Sequence, residues 1–220
     1  MTTSIITGAN RGIGLELARQ LHARGDDVIA ICRRSSSDLD GLGVRIEPGV
    51  DVGRAGAAAD LAKRLQGVRI DVLINNAGIL RGESLGALNF ESIAEQFEVN
   101  ALGPLRVTAA LAPLLADSAK VAIITSRMGS MGDNSSGGYY GYRMSKAAVN
   151  AAGVSLARDL AARNIAVALI HPGMVATDMT GKHGIPPQDA ARGVITRIEA
   201  LTLETTGRFW HAGTGEELPW

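Results

Sequence analysis

The chain has 220 residues, 46% of them apolar, with 22 basic and 22 acidic side chains and a formal net charge of zero. This length suits one large α/β domain over residues 1–220, and the apolar share fills a core that needs no metal or disulfide as a staple. Charge neutrality argues against nucleic acid or an acidic membrane surface as the main partner, and the single cysteine, Cys32, rules out an intrachain disulfide.

The four histidines, His22, His171, His183 and His211, lack the spacing of metal ligands, so no metal site is expected. Met1 to Ser4 leads straight into a short apolar run, without the basic start and longer apolar stretch of a secretory signal. No run nears the about 20 apolar residues that cross a bilayer. A soluble, cytoplasmic protein is the expectation.

In chain order, short apolar runs at 4–7, 27–32, 44–47, 70–75, 120–125, 165–171 and 208–210 alternate with helical patterns at 12–24, 54–65, 90–115, 143–162 and 188–201. Strands that are apolar almost throughout belong to a parallel sheet covered by helices on both faces. Ile13, Leu17 and Leu21 recur at i, i+4 and i+8 and give the first helix a core-facing stripe, with Gly25 placed to end it. The alternation predicts a single-domain Rossmann-type α/β fold, a doubly wound parallel sheet of about seven strands with right-handed crossovers. Ser35 to Ser37 and 132–138 read as loops within it.

The first strand runs into Thr7-Gly8-Ala9-Asn10-Arg11-Gly12-Ile13-Gly14, which opens a helix. Glycines there let the backbone turn tightly and approach a ligand, and the helix N-terminus offers free N–H groups to a pyrophosphate. The spacing is G-x-x-x-G-x-G, and a plain strand-to-helix turn is the simpler reading of the glycines alone. Cys32-Arg33-Arg34 ends the second strand, where an acidic residue would accept from both ribose hydroxyls and repel a 2′-phosphate. None is present. Arg33, with Arg11, is placed to pair with such a phosphate, so NADP(H) is favoured over NAD(H), although both arginines also read as solvated surface charges. Asp51-Val52 follows the third strand and could reach the adenine edge, and Asp51 reads equally as an N-cap of the 54–65 helix. Asn75-Asn76-Ala77-Gly78 ends the fourth strand at the carboxyl edge, either as a cofactor-lining loop or as a simple turn.

Tyr142 and Lys146 stand at i and i+4, on one helix face. A free phenol has a pKa of about 10, and a neighbouring ammonium is expected to lower it toward the working range. Neither of the other two tyrosines, Tyr139 and Tyr140, has lysine at +4. Ser126 follows the 120–125 strand, where its hydroxyl either donates to a carbonyl oxygen as charge develops or caps the turn. Asn100 lies inside a helical pattern just before Gly103-Pro104, which predicts a local kink or a backbone partner, and a role in holding a water beside Lys146.

Taken in order, Thr7-Gly8…Gly12…Gly14, Asn75-Asn76-Ala77-Gly78, Asn100, Ser126, Tyr142…Lys146 and Pro172-Gly173…Thr177 resemble the short-chain dehydrogenase/reductase family from residue 4 onward. The resemblance implies a catalytic tetrad of Asn100, Ser126, Tyr142 and Lys146, with Lys146 also holding the nicotinamide ribose. It implies a dinucleotide bound by Gly8, Asn10, Arg11, Gly12, Ile13 and Gly14, by Arg33, Asp51 and Val52, and by Asn76, Ala77 and Gly78. Tyr142 and Lys146 join them, with Pro172, Gly173, Val175 and Thr177 beside the carboxamide. Ser126 stands 16 residues before Tyr142, farther than in many members, and Ser130 is the nearer competitor without the strand-end position. That spacing, Tyr140-Gly141-Tyr142-Arg143 and the ending Gly215-Glu216-Glu217-Leu218-Pro219-Trp220 resemble the C-factor/sniffer-type carbonyl reductase branch. The substrate-covering segment of the family falls at about 174–190 and is short between Met174 and Pro187, which reads as an open, permissive pocket.

The favoured function is therefore reduction of an aldehyde or ketone with NADPH, or the reverse oxidation of an alcohol. A cofactor-binding signalling or sensor protein of C-factor type, with incidental turnover, is the alternative. An epimerase or dehydratase is disfavoured because that branch spaces its glycines as G-x-x-G-x-x-G. The family resemblance implies a homodimer or homotetramer, while Ala147, Ala148, Ala151 and Ala152 read equally as partner-facing or core-facing.

Overall fold

The valine- and isoleucine-rich runs have no polar face to leave in water, and they pair side by side into one sheet. The computed structural model describes all 220 residues. Its strands are β1 (Thr3–Thr7), β2 (Asp27–Ile31), β3 (Arg45–Glu47), β4 (Ile70–Asn75), β5 (Leu115–Ile124), β6 (Ala166–His171) and β7 (Phe209–His211). They lie in the order β3-β2-β1-β4-β5-β6-β7, and every neighbouring pair is parallel. The helices are α1 (Gly12–Ala23), the short α2 (Ser37–Asp40), α3 (Ala57–Arg64), α4 (Phe90–Phe97), α5 (Gly103–Leu111), α6 (Tyr140–Leu160) and α7 (Pro187–Glu199). No helix is long and apolar enough to cross a membrane.

Successive strand residues point to opposite faces, and both faces are apolar. Ile5, Ile29, Leu73, Val121 and Val167 meet Leu61 of α3, Val107 and Leu111 of α5, and Val149 and Ala157 of α6. Their neighbours Ile6, Ala30, Ile74, Ala122 and Ala168 meet Leu17 and Leu21 of α1 and Ala191, Val194 and Ile198 of α7. The doubly wound architecture follows from that pattern. Strand order reverses between β1 and β4, so a crevice opens at their carboxyl ends, where ligands of such sheets bind.

Several boundaries differ from the sequence expectation, and four places show the local reason. The 90–115 helix is broken: α4 passes at Glu98–Leu102 into one π-helical turn, in which the Gly103 N–H donates to the Glu98 carbonyl. Pro104 then has no N–H to return to the preceding turn, and Pro113 ends the element in a short 3-10 turn at Ala112–Leu114. β5 starts earlier, at Leu115, because a register shift against β4 absorbs the extra residues, with Ser118 in the left-handed region at φ 67°. α3 begins at Ala57 behind the left-handed Gly56, so Asp51 is not its N-cap. Instead Asp51 Oδ1 accepts the Gly53 N–H at 3.1 Å. Within 35–37, Ser36 caps α2 by accepting the Leu39 N–H at 3.3 Å.

Candidate active site

The glycine turn is fixed to the sheet from two sides. The Gly8 and Ala9 N–H groups donate to the Ile31 carbonyl at 2.8 and 3.2 Å. Thr7 Oγ1 accepts the Asn76 and Ala77 N–H groups at 3.0 and 3.1 Å, while Asn76 Nδ2 donates to the Thr7 and Gly8 carbonyls at 3.0 and 3.2 Å. A Cβ on Gly8, whose φ is +69°, would stand 2.9 Å from Ala77 Cα. One on Gly14 would stand 2.6 Å from Asn76 Nδ2, and closer still to the Gly8 carbonyl oxygen. α1 begins with no side-chain cap and no acidic residue in its first turn. No acidic side chain of the helix's own first turn thus competes for its N–H groups, and the residues present fit a dinucleotide pyrophosphate.

Around this turn, Ser36 Oγ donates to the Asn10 carbonyl at 2.7 Å, Ile13 packs against the α1-side core, and Val52 is buried against Gly103. Arg33 is exposed just beyond β2. Arg11 is not free: its Nη1 pairs with Asp178 at 3.1 Å, and Asp178 also takes Lys182 at 2.5 Å. Thr177, at the start of the 3-10 turn Asp178–Thr180, reaches over the glycine turn, its Cγ2 lying 3.2 Å from where a Gly12 Cβ would be. Pro172 and Val175 are buried below it, and Gly173 turns at φ +90°. Two loops far apart in sequence thus close on the same crevice.

Tyr142, Lys146, Ser126 and Asn100 are all buried. Tyr142 sits in the first turn of α6, which begins at Tyr140 rather than 143, after Tyr139 in a left-handed conformation at φ 52°. Lys146 lies one turn on, its Nζ 5.7 Å from the Tyr142 ring centroid and donating to the Ile124 carbonyl at 2.9 Å. The Ser126 hydroxyl accepts the Met128 N–H at 3.1 Å, and it lies close enough to the Tyr142 phenol to act on its titration. Ser130 is instead spent on its own turn, accepting the Asp133 N–H at 3.1 Å. Asn100 lies in the π-helical turn and does have a backbone partner. It accepts from the Ile79 N–H and donates to the Ile79 carbonyl, both at 2.8 Å, and donates to Ser145 Oγ at 3.1 Å.

One electrostatic expectation is overturned. The Tyr142 phenol is raised rather than lowered, because burial outweighs the Ser126 hydrogen bond, the one influence that pulls it back. Lys146 does not reverse this: burial pulls its own ammonium down to about 8. The i, i+4 spacing supplies proximity, and burial acts against charge on both groups.

Three further neighbours complete the site. Gly129 lets the Ser126 loop lie on α6, where a Cβ would stand 2.7 Å from the Lys146 carbonyl carbon. Ser145 Oγ donates to the Tyr142 carbonyl at 2.8 Å and ties Asn100 to the start of α6. His171 lies edge-on to His211 at 5.2 Å and is held down to about 3 by burial first, with His211, Arg127 and Lys146 adding to the effect. The i, i+3 relation of Tyr142 to Ser145 was readable, but its partner across the fold was not.

A parallel sheet with a glycine-lined crevice at its switch point, and a Tyr–Lys pair beside it, defines a nicotinamide-dependent oxidoreductase. The chain belongs to the short chain dehydrogenase family, whose profile matches residues 2–186. It is 47% identical over 227 residues to the 1-hydroxy-2-glutathionyl-2-methyl-3-butene dehydrogenase of Rhodococcus sp., covering all of both chains. It is 46% identical over 155 residues to the C-signal of Myxococcus xanthus, spanning 69% of this chain and 93% of that protein. An NADPH-bound carbonyl reductase from chicken fatty liver superposes with a TM-score of 0.88 at 28% identity, over 100% of this chain and 99% of that one.

Proposed function

We propose that the chain reduces aldehydes or ketones with NADPH, the reverse alcohol oxidation using the same groups. The observation behind this reading is Tyr142, a phenol whose burial keeps its proton on, one helical turn from Lys146 and close enough to Ser126 for that hydroxyl to act on it. The bound dinucleotide supplies the hydride. Tyr142 gives its proton to the carbonyl oxygen, and Ser126 donates a hydrogen bond to that oxygen as charge develops. The Lys146 ammonium stabilises the phenolate left behind. Asn100 Oδ1 and Lys146 Nζ lie on the same side of Gly78, 3.3 and 3.7 Å from where its Cβ would be, so a water between them returns the proton.

The cofactor cradle in this reading is the glycine turn with Asn76, Ala77 and Gly78, and Arg33 is the cation for a 2′-phosphate. Arg11 serves as a second only by leaving Asp178. Arg33→Ala is expected to raise the KM for NADPH by about ten- to hundredfold and leave that for NADH nearly unchanged. An unchanged KM for NADPH would return Arg33 to a plain surface charge.

Lys146 sets the pH dependence. With its ammonium near 8, NADPH-dependent reduction should decline as pH rises through that value. Stability moves the other way. An unfolded lysine titrates at about 10.4, so between the two values the unfolded chain binds more protons and this group's contribution to folding stability rises with pH. A rate profile flat through pH ~8 would remove the charged Lys146 from the mechanism.

The first experiment is loss of NADPH absorbance with a panel of aldehydes, ketones and dicarbonyls. The Rhodococcus relative is named for an alcohol carrying a glutathionyl group, so such alcohols, with NADP, belong in the panel. The likeness to C-signal favours a second reading, a cofactor-binding signalling protein with incidental turnover. Measurable NADPH binding without turnover on any member of the panel would favour that reading over the enzyme.

A further inference from the structure

Glu83 is a buried carboxylate that the mechanism above does not use. All of its side-chain partners are neutral donors. Oε1 accepts Gln96 Nε2 at 2.7 Å and the Ser92 hydroxyl at 3.2 Å, and Oε2 accepts the Gly141 N–H at 3.2 Å. The Glu83 carbonyl also accepts the Tyr139 N–H at 2.8 Å. Tyr139 and Gly141 flank the start of α6, on the N-terminal side of Tyr142.

These bonds belong to a regular pattern. Ser92, Gln96 and Asn100 follow one another at four-residue steps along α4 and the π-helical turn, and the segment they hold is met at two-residue steps. Asn100 brackets Ile79, Gln96 Oε1 accepts the Arg81 N–H at 2.9 Å, and Gln96 and Ser92 together hold Glu83. Four helical residues advance about 6 Å and two extended residues about 6.6 Å, so such a ladder stays in step. Each end of it reaches α6 at positions one turn apart. Asn100 bonds Ser145, and Glu83 bonds Gly141. Gly141 permits this approach, since a Cβ there would stand 2.5 Å from Gln96 Nε2 and 2.9 Å from Ile93 Cα.

We propose that Glu83 is a positioning residue for the proposed reaction: with Asn100 at the other end of the ladder, it docks the first turn of α6 and so fixes the place of Tyr142. The inference rests on the reading of Tyr142 as the proton donor. With glutamine at 96, only a carboxylate satisfies the site, because Gln96 Nε2 and the Gly141 N–H each need an acceptor, one on each oxygen. Glutamine at 83 would set an NH2 group against the NH2 of Gln96 or the N–H of Gly141. Flipping Gln96 moves the clash to the Arg81 N–H and does not remove it.

The exchanged pair, E83Q with Q96E, restores every bond. The new amide donates to the new carboxylate at 96, its oxygen accepts from Gly141, and the Ser92 hydroxyl turns to accept. The experiment therefore compares wild type, E83Q and E83Q/Q96E by steady-state kinetics and by hydrogen exchange over residues 139–146. E83Q should lower kcat by about ten- to hundredfold, with the KM for NADPH within about twofold, and speed exchange at the start of α6. The exchanged pair should recover both. Wild-type exchange at 139–146 in E83Q would overturn the inference whatever the turnover. So would an unchanged kcat in E83Q, or an exchanged pair that stays as slow as the single variant. A wild-type chain without carbonyl turnover would sink the enzymatic reading instead, and the exchange data would still decide whether Glu83 docks the helix.

Discussion

Tyr142→Phe should lower kcat for NADPH-dependent carbonyl reduction by about a thousandfold, while the KM for NADPH stays within about twofold. Phenylalanine keeps the ring in its buried place at the start of α6 and removes only the hydroxyl, so the fold and the cofactor cradle are left intact. What is lost is the proton donor. Ser126→Ala gives a contrasting result that separates the two roles. Its hydroxyl is the one group that pulls the Tyr142 phenol back from the rise that burial imposes, so without it the phenol climbs further. In alcohol oxidation Tyr142 must start as phenolate, and the acid limb of that rate profile should therefore move to higher pH in Ser126→Ala. In reduction the phenol is already protonated, so the cost should be a fall in kcat of about a hundredfold from the missing hydrogen bond to the carbonyl oxygen. If Tyr142→Phe kept more than about a tenth of the wild-type rate, the proton would have to come from water or Ser126.

The order of elements was legible because a parallel sheet buried on both faces writes itself as apolar runs, and the boundaries of β4 coincide with the run at 70–75. Asn100 was legible as an anomaly, a poor helix former in a helical pattern, and the π-helical turn with its Ile79 partner is the reason. What stayed hidden depends on approach between distant segments. Arg11 read as free because nothing in residues 8–14 announces Asp178, which lies 167 positions away and arrives through the loop after β6. Nothing in the sequence around Glu83 marks it, because only the close approach of α6 to α4 at Gly141 buries it. The Tyr142–Lys146 spacing gave the right neighbours and the wrong direction of pKa shift, since spacing records distance along a helix face and says nothing of how much water is left around it.

Gly14→Ala should remove NADPH binding almost completely, with a loss of more than about a hundredfold in affinity, and should cost about 1–3 kcal/mol of folding stability. The residue lies inside α1 with ordinary helical backbone, so the penalty comes entirely from contact. The added methyl overlaps the Gly8 carbonyl and Asn76 Nδ2, the two groups whose hydrogen bond latches the glycine turn to the end of β4. Either the latch opens or the first turn of α1 swings outward, and each result moves the free N–H groups away from where a pyrophosphate would sit. Gly25→Ala is the matching control at the other end of the same helix. Its φ of +95° strains any side chain, while a Cβ there meets nothing within 4 Å. That variant should lose about 1 kcal/mol of stability with NADPH affinity unchanged. Thermal melts and NADPH fluorescence titration on the two proteins separate contact from backbone strain. A Gly14→Ala chain that bound NADPH as tightly as wild type would mean that the dinucleotide does not lie on this turn, and the cradle would have to be sought elsewhere along the carboxyl edge of the sheet.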